Sequence, residues 1–221
     1  MSNREAPPFG IKDKLGYMLG DVANDFSFIF ASTFVMVFYS KVMGISTGMI
    51  GTMFLVARFI DAFTDIGMGR IADRAKTGKS GKFRPWILRM CGPVAIASFL
   101  MYQSGLQGIP YGAKVAYMFV TYILWGSVFY TSINIPYGSM ASVISQNPKD
   151  RSSLSVFRSM GGMFAGNLIS VVAPLVIYYK DAAGNQVVNS TNFTILAGIF
   201  SLCAILCYLL CYWLCTERVV L

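Results

Sequence analysis

Long apolar stretches alternate with short polar ones along the whole chain. The apolar stretches cover about 12–40, 47–72, 86–105, 114–145, 157–179 and 193–214. Each reaches the ~20 residues that a helix needs to cross a bilayer. Each predicts a helix, because a lipid-exposed backbone must satisfy its own hydrogen bonds. The connections are short. On one side lie 41–47 (KVMGIST), 104–113 (SGLQGIPYGA) and 180–192 (KDAAGNQVVNSTN), and on the other the basic segment 73–85 and 146–152 (QNPKDRS). The expected fold class is an all-α membrane protein, one six-helix transmembrane bundle over residues 1–221 with no separate soluble domain.

Composition agrees with that pattern. Of 221 residues, 55% are hydrophobic and only 13% charged, with a mean hydropathy of +0.58. A soluble domain of this length would need far more polar surface. The net charge of +8 could suit nucleic acid, but the basic residues are sorted by loop. With the N-terminus inside, the inner segments hold Arg4, Lys12, Lys14, Arg70, Arg74, Lys76, Lys79, Lys82, Arg84, Arg89, Lys149, Arg151, Arg158 and Arg218. The outer loops hold Lys41, Lys114 and Lys180, which leaves Arg58 within the second helix. This bias predicts that both termini face the cytoplasm, and it assigns the basic charge to orientation in the cell membrane rather than to nucleic acid. The first fourteen residues are polar and lack a small-residue cleavage site, so the first helix is expected to act as an uncleaved signal anchor.

Other features have modest readings. Cys203, Cys207, Cys211 and Cys215 recur every four residues on the sixth helix. The chain has no histidine, and cysteines four apart on one helix lack the geometry to bridge, so the stripe predicts packing against a neighbour or lipid. Gly16 and Gly20, and Gly162 and Gly166, are also four apart and mark close helix contacts. Pro93, Pro136 and Pro174 are expected to kink or loosen a turn. The sequons at Asn189 and Asn192 are best explained by chance. No nucleophile–base arrangement or metal cluster points to an enzyme.

The second helix raises the sharper question, because Arg58, Asp61 and Asp65 sit inside it. Such a residue near the bilayer centre costs about 2.5–3.5 kcal/mol on insertion scales. Their i, i+3, i+7 spacing puts all three within about 60° of arc on one face. Asp21 and Asp25 repeat the theme on the first helix. At 1.5 Å per residue, Asp25 and Asp61 each lie about 21 Å from their entry points, near the midplane. Two carboxylates one turn apart can replace the hydration shell of a small hard cation such as sodium, or accept a proton instead. Ion pairing with Arg58 is the purely structural alternative. Buried pairs are poor stabilisers for their cost, which favours a coupling-ion site, with Arg58 neutralising an aspartate.

The residues also carry a resemblance. VARFIDAFTDIGMG, followed by GRIADRAKTGKSGKFRPWIL, resembles the melibiose-permease type of the glycoside–pentoside–hexuronide:cation symporter family, within the major facilitator superfamily. GDVANDF, TYILWG and NIPYGSM fit the same pattern in order. The match covers nearly the whole chain but only the N-terminal six-helix half of a twelve-helix member. The resemblance implies that Asp61 and Asp65 hold the cation, with Thr131 completing its shell. It implies that Asp25 accepts hydrogen bonds from sugar hydroxyls and that Arg158 donates to the same sugar, with Tyr130 beside them. A snorkelling interfacial arginine is the other reading of Arg158. Charged partners make the stronger bonds to hydroxyls. Melibiose permeases have an aspartate where Asn134 stands, a tryptophan at Gly138 and a lysine at Asn24. Asn134 can still bond a hydroxyl. These departures argue against galactoside specificity, while the intact carboxylate pair implies sodium or proton coupling.

The expected function is therefore sodium- or proton-coupled sugar symport by alternating access, with no cofactor beyond the coupling ion. The partners are a sugar, a monovalent cation, the lipid bilayer and a second six-helix half. That half is either missing from a truncated chain or gene fragment, or supplied by a dimer mate. Two alternatives stand beside it: a cation-coupled carrier of another substrate such as a lysolipid, and a non-transporting half that scaffolds a partner.

Overall fold

A computed structural model describes residues 7–78 and 80–219. Arg4 and Lys79, counted above among the inner basic residues, lie outside the described residues, as do the last two residues of TERVVL. Helix α1 runs over Ile11–Val37 and continues through a π-helical turn at Phe38–Val42; α2 is Thr47–Arg74 and α3 is Arg84–Leu100. A single rod from Tyr111 to Ile144 is built of α4 (Tyr111–Ile123), a π-helical segment (Leu124–Tyr130) and α5 (Thr131–Ile144). Then come α6 (Pro148–Ile177), a hairpin of β1 (Tyr178–Lys180) and β2 (Gln186–Val188), and α7 (Ser190–Leu214). Pro93, Pro136 and Pro174 lie inside α3, α5 and α6, which run on through them.

Three expectations need correction. The fifth predicted helix, placed at 157–179, begins at Pro148. Asn147 accepts from Lys149 N at 3.0 Å and Asp150 sits in the first turn, so the polar run taken for a loop at 146–152 is a capped helix start. The third, placed at 86–105, ends at Leu100, after which Gln103 Nε2 turns back to Phe99 O at 2.7 Å and a short 3₁₀ turn spans Ser104–Leu106. The fold is also not wholly α: the expected loop 180–192 holds most of an antiparallel hairpin, pairing Tyr178 with Val188 and turning at Gly184, whose φ is +83°. Its sequon asparagines have structural work, with Asn189 capping α7 and Asn192 Nδ2 donating to Val176 O at 2.7 Å.

Four rods are long and apolar enough to cross a membrane: Ile11–Val42, Tyr111–Ile144, Pro148–Ile177 and Ser190–Leu214. The 17-residue α3 and α2, with charges in its middle, are not among them. Large apolar side chains such as Phe59, Leu175 and Trp213 point outward, each more than 65% exposed. In water so much exposed apolar surface would aggregate; it suits a hydrocarbon solvent.

Helix α1 is the centre of the bundle, packed along α6 and α7, while α3 lies on α7 and α5, and α2 on α5. The small residues make this possible. A Cβ on Gly16 would meet Leu214 Cβ at 2.8 Å and Cys215 Sγ at 2.9 Å, and one on Gly20 would collide with the Tyr137 ring of α5 and meet Cys211 Sγ at 2.9 Å. The cysteine stripe of α7 thus packs on the glycine pair of α1, as soft small residues against bare backbone. On the other flank, Gly162 comes within contact of Asp25 and Asp21, and Gly166 of Ile29. Toward the end of the molecule away from the chain termini, Phe30, Phe38, Tyr102 and Phe193 form a buried aromatic cluster with centroids 4.8–6.3 Å apart.

At the end where the chain termini lie, the residues after α7 tie four helices together. Arg218 grips Asp13 of α1 with two bonds, Nη1 to Oδ1 at 3.0 Å and Nη2 to Oδ2 at 2.8 Å, and its backbone N–H reaches Val143 O of α5 at 2.7 Å. Glu217 accepts from the backbone N–H of Lys82, Phe83 and Arg84, so it caps the start of α3. Gly81 passes so close that any Cβ would collide with that carboxylate, and its φ of +103° suits glycine alone.

The packing of α1 on α7 can be tested by thermal unfolding in detergent. Gly16→Ala, whose Cβ would meet Leu214 and Cys215, is expected to lose about 1–3 kcal/mol through overpacking. Gly69→Ala, whose Cβ would meet nothing within 4 Å, is expected to hold or gain up to about 1 kcal/mol from helix propensity. A Gly16→Ala protein as stable as the parent would show that the two helices are not closely seated.

Candidate functional site

The face of α2 predicted from spacing turns toward the π-helical segment and α5. Ser127 Oγ donates to Asp61 Oδ1 at 2.5 Å, and Thr131 Oγ1 donates to Asp65 Oδ1 at 2.9 Å. Each pair is 66 residues apart in sequence, so the two helices run parallel and meet in two rungs one turn apart. Thr131 Oγ1 also lies 3.2 Å from Gly126 O, five residues back, the reach of a π turn. Arg58 Nη1 stands 3.8 Å from Asp61 Oδ2 with its side chain 78% exposed. The expected neutralisation of an aspartate by Arg58 is thus a loose contact at the rim.

Arg58, Asp61, Asp65 and Thr131 wall a cavity of about 510 Å³, lined also by Phe28, Tyr122, Trp125, Tyr130 and Asn134, with Ser127 buried behind Asp61. Phe28 stacks on Tyr130 at 5.5 Å, and Trp125 lies 5.6 Å from the same ring. Trp125 is 3% exposed, and among the described residues its indole N–H has no hydrogen-bond partner. The cavity therefore offers carboxylate and hydroxyl oxygens on one wall and aromatic faces on another. Oxygens of this kind suit a hard cation, and aromatic faces suit the C–H surface of a ring-shaped solute. Among the described residues no group of three or more His, Cys, Asp or Glu could hold a metal ion, so a cation here would rely on two carboxylates and neutral oxygens.

Asp61, Asp65, Thr131, Tyr130 and Asn134 are thus brought together around one space. Asp25 and Arg158 lie beside it, where α1 meets α6. Arg158 Nε donates to Asp21 Oδ1 at 2.8 Å, not to Asp25, and its guanidinium carbon sits 5.3 Å from the Tyr137 ring centroid. Asp25 has no ion pair among the described residues. Asn134 joins the two groups. Tyr208 OH donates to Asn24 Oδ1 at 2.6 Å, and Asn24 Nδ2 donates to Asn134 Oδ1 at 3.4 Å. Sequence reasoning left Ser127 unnamed and gave Asp21 no role. The signal for both was spacing: Ser127 precedes Thr131 by four, as Asp21 precedes Asp25.

With this geometry in view, comparison with known proteins is informative. The family model described as "MFS/sugar transport protein" matches residues 16–221. The chain belongs to that family. It is 34% identical over 208 residues to the isoprimeverose transporter of Lactiplantibacillus pentosus, covering 94% of this chain and 42% of that protein. It is 39% identical over 170 residues to the putative glycoside/cation symporter YagG of Escherichia coli (strain K12), covering 75% and 35%. It is 34% identical over 213 residues to a putative 2,3-dihydroxypropane-1-sulfonate exporter of the same organism, covering 95% and 44%. The chain spans less than half the length of each of these relatives. The family and these relatives are transporters, not enzymes, and the chain is a multi-pass membrane protein. The expected resemblance to glycoside:cation symporters is borne out.

The two ion pairs should differ in strength. Arg158–Asp21 is partly buried, with side chains 41% and 12% exposed, whereas Arg58–Asp61 is longer and 78% and 26% exposed. Double-mutant cycles read by thermal unfolding are expected to give a coupling of about 1 kcal/mol or more for the first and under about 0.5 kcal/mol for the second. Equal couplings would contradict the view that only Arg158 is committed to its aspartate.

Proposed function

We propose that this chain is the N-terminal six-helix half of a cation-coupled sugar symporter in the cell membrane, with both termini cytoplasmic. Residues 1–221 form one bundle in this reading, α2 and α3 crossing the bilayer beside the four more apolar rods. Transport then needs a second six-helix half, from the same polypeptide or from a dimer mate, because sites in such folds lie between halves near the midplane. The observation that carries the reading is the pair of rungs that Ser127 and Thr131 make to Asp61 and Asp65, whose carboxylates line the 510 Å³ cavity. Neutral hydroxyls meet these carboxylates at hydrogen-bond distance and Arg58 only approaches Asp61 at 3.8 Å from an exposed position, which leaves negative charge for a mobile ion to balance.

In the mechanism we infer, sodium or a proton neutralises the α2 pair. The sugar occupies the adjoining space, with Asn134, Asp25 and Tyr130 against its hydroxyls and Arg158 donating once it shares or leaves Asp21. Cation and sugar then favour each other's binding, a coupling typically worth about 1–3 kcal/mol and necessarily reciprocal. The names of an isoprimeverose transporter and a glycoside/cation symporter among the relatives support a glycoside. A second reading, a carrier of an anionic small solute, draws on the sulfonate exporter and on Arg58 standing exposed at the cavity rim.

The test is accumulation of labelled glycosides by cells that make this chain together with a second half. Sodium or a proton gradient is expected to drive uptake, and Asp65→Asn is expected to abolish accumulation against the gradient while leaving downhill exchange. Cation-stimulated accumulation unchanged in Asp65→Asn would overturn the coupling assignment. Competition by organic sulfonates, and none by glycosides, would select the second reading.

A further inference from the structure

Ser127 holds the same relation to Asp61 that Thr131 holds to Asp65, although neither charge spacing nor the family resemblance pointed to it. Its hydroxyl is buried, the residue being 1% exposed and set in the π-helical segment Leu124–Tyr130. Isolated π turns inside α-helices recur at functional sites because the wider turn re-aims side chains and loosens backbone pairing. Here the turn aligns Ser127 and Thr131 with two carboxylates spaced one α-helical turn apart. A hydroxyl donating to a carboxylate keeps two lone pairs, and its hydrogen can turn to suit a new partner. Ser127 Oγ can therefore turn an oxygen toward a cation without any backbone movement.

A purely structural bridge between α2 and this rod explains less. Holding two membrane helices together is met by small apolar residues in close packing, without retaining carboxylates that are costly in hydrocarbon. Two matched hydroxyl–carboxylate rungs, with Asp61, Asp65 and Thr131 lining the cavity and Ser127 directly behind Asp61, instead bring together oxygens from four side chains. That number suits sodium or lithium, which must replace a hydration shell with hard oxygen donors. A proton needs one oxygen.

We propose that Ser127 is an oxygen ligand of the coupling ion, which is an alkali cation held jointly by Asp61, Asp65, Thr131 and Ser127, and that the π-helical segment places it there. This rests on the coupling site proposed above and adds to it the ion's class and a further residue.

The experiment uses the purified 221-residue chain in detergent, titrated with sodium chloride against choline chloride at constant ionic strength. Tryptophan fluorescence is the readout, since Trp125 lines the cavity. Ser127→Ala is expected to weaken sodium binding by about 10–100-fold, the usual loss when a group engaging a metal-site carboxylate is removed. Ser127→Cys keeps the side chain's shape and a weak donor but offers sulfur, which a hard cation avoids; it is expected to bind sodium as poorly as Ser127→Ala. Ser132→Ala removes a hydroxyl that bonds only Val128 O of its own helix, and is expected to change affinity by no more than about twofold. Sodium affinity at the parent level in Ser127→Ala overturns the inference alone. So does a Ser127→Cys protein with parent affinity beside a weakened Ser127→Ala, which would assign the hydroxyl to holding the helices. No alkali-cation response in the parent chain, with its thermal unfolding intact, overturns the coupling site and this inference together.

Discussion

Everything in this bundle is arranged around the cost of carboxylates in a low-dielectric slab. A carboxylate out of water must find donors or a counter-charge, and the chain uses three different solutions, from buried Asp13 to Asp65, which the described residues leave exposed. Asp13 is closed off: Arg218 grips both oxygens, the N–H of Gly10 and of Thr216 donate to them, and the side chain is 3% exposed. Asp21 has one arginine, half exposed, at 2.8 Å. Asp61 and Asp65 have hydroxyls for partners and an arginine that merely grazes Asp61 from the rim. The first arrangement locks helix ends. Of these three, the last leaves charge that something mobile can balance, and it lies beside a cavity.

Much of this was legible in the chain. The i, i+3, i+7 run of Arg58, Asp61 and Asp65 requires one shared face on any helix, and the face does turn inward to α5. Gly16 and Gly20 announced a close contact, and the cysteine stripe proved to be its other side. What escaped depends on contacts across the sequence. The partner of Arg158 is 137 residues away, and no local pattern chooses Asp21 over Asp25. The start of α6 was missed because PKDRSS is polar enough to read as loop, although Asn-Pro followed by an acid in the first turn is a cap signal in its own right. The π segment was hidden because an unbroken apolar run looks the same whether it winds by four or by five.

That segment matters to how the two polar groups meet. Helix α5 opens with Thr131, bonded to Asp65 of α2, and three residues later carries Asn134, bonded to Asn24 of α1. Asn24 is in turn held by Tyr208 of α7 and is followed directly by Asp25. One turn of α5 therefore touches both the candidate cation side and the candidate sugar side.

Coupling between two ligands requires a shared element that both bias, not mere proximity. The first turn of α5 meets that requirement in its connectivity. An ion drawing Asp65 toward itself pulls on Thr131, and a solute bonding Asn134 competes with Asn24 for the same amide. Because the rest of α5 is pinned, with Tyr137 OH on Tyr17 O at 2.6 Å and Val143 O bound by the backbone of Arg218 and Val219, that pull cannot be dissipated by sliding the whole helix. The rod's hydrogen bonding is irregular at the π turn before Thr131 and at Pro136 just after Asn134, the two places where such a pull meets least resistance. A short helical turn that carries both polar contacts, flanked by a π turn and a proline, is mechanically suited to make the occupancy of one felt at the other.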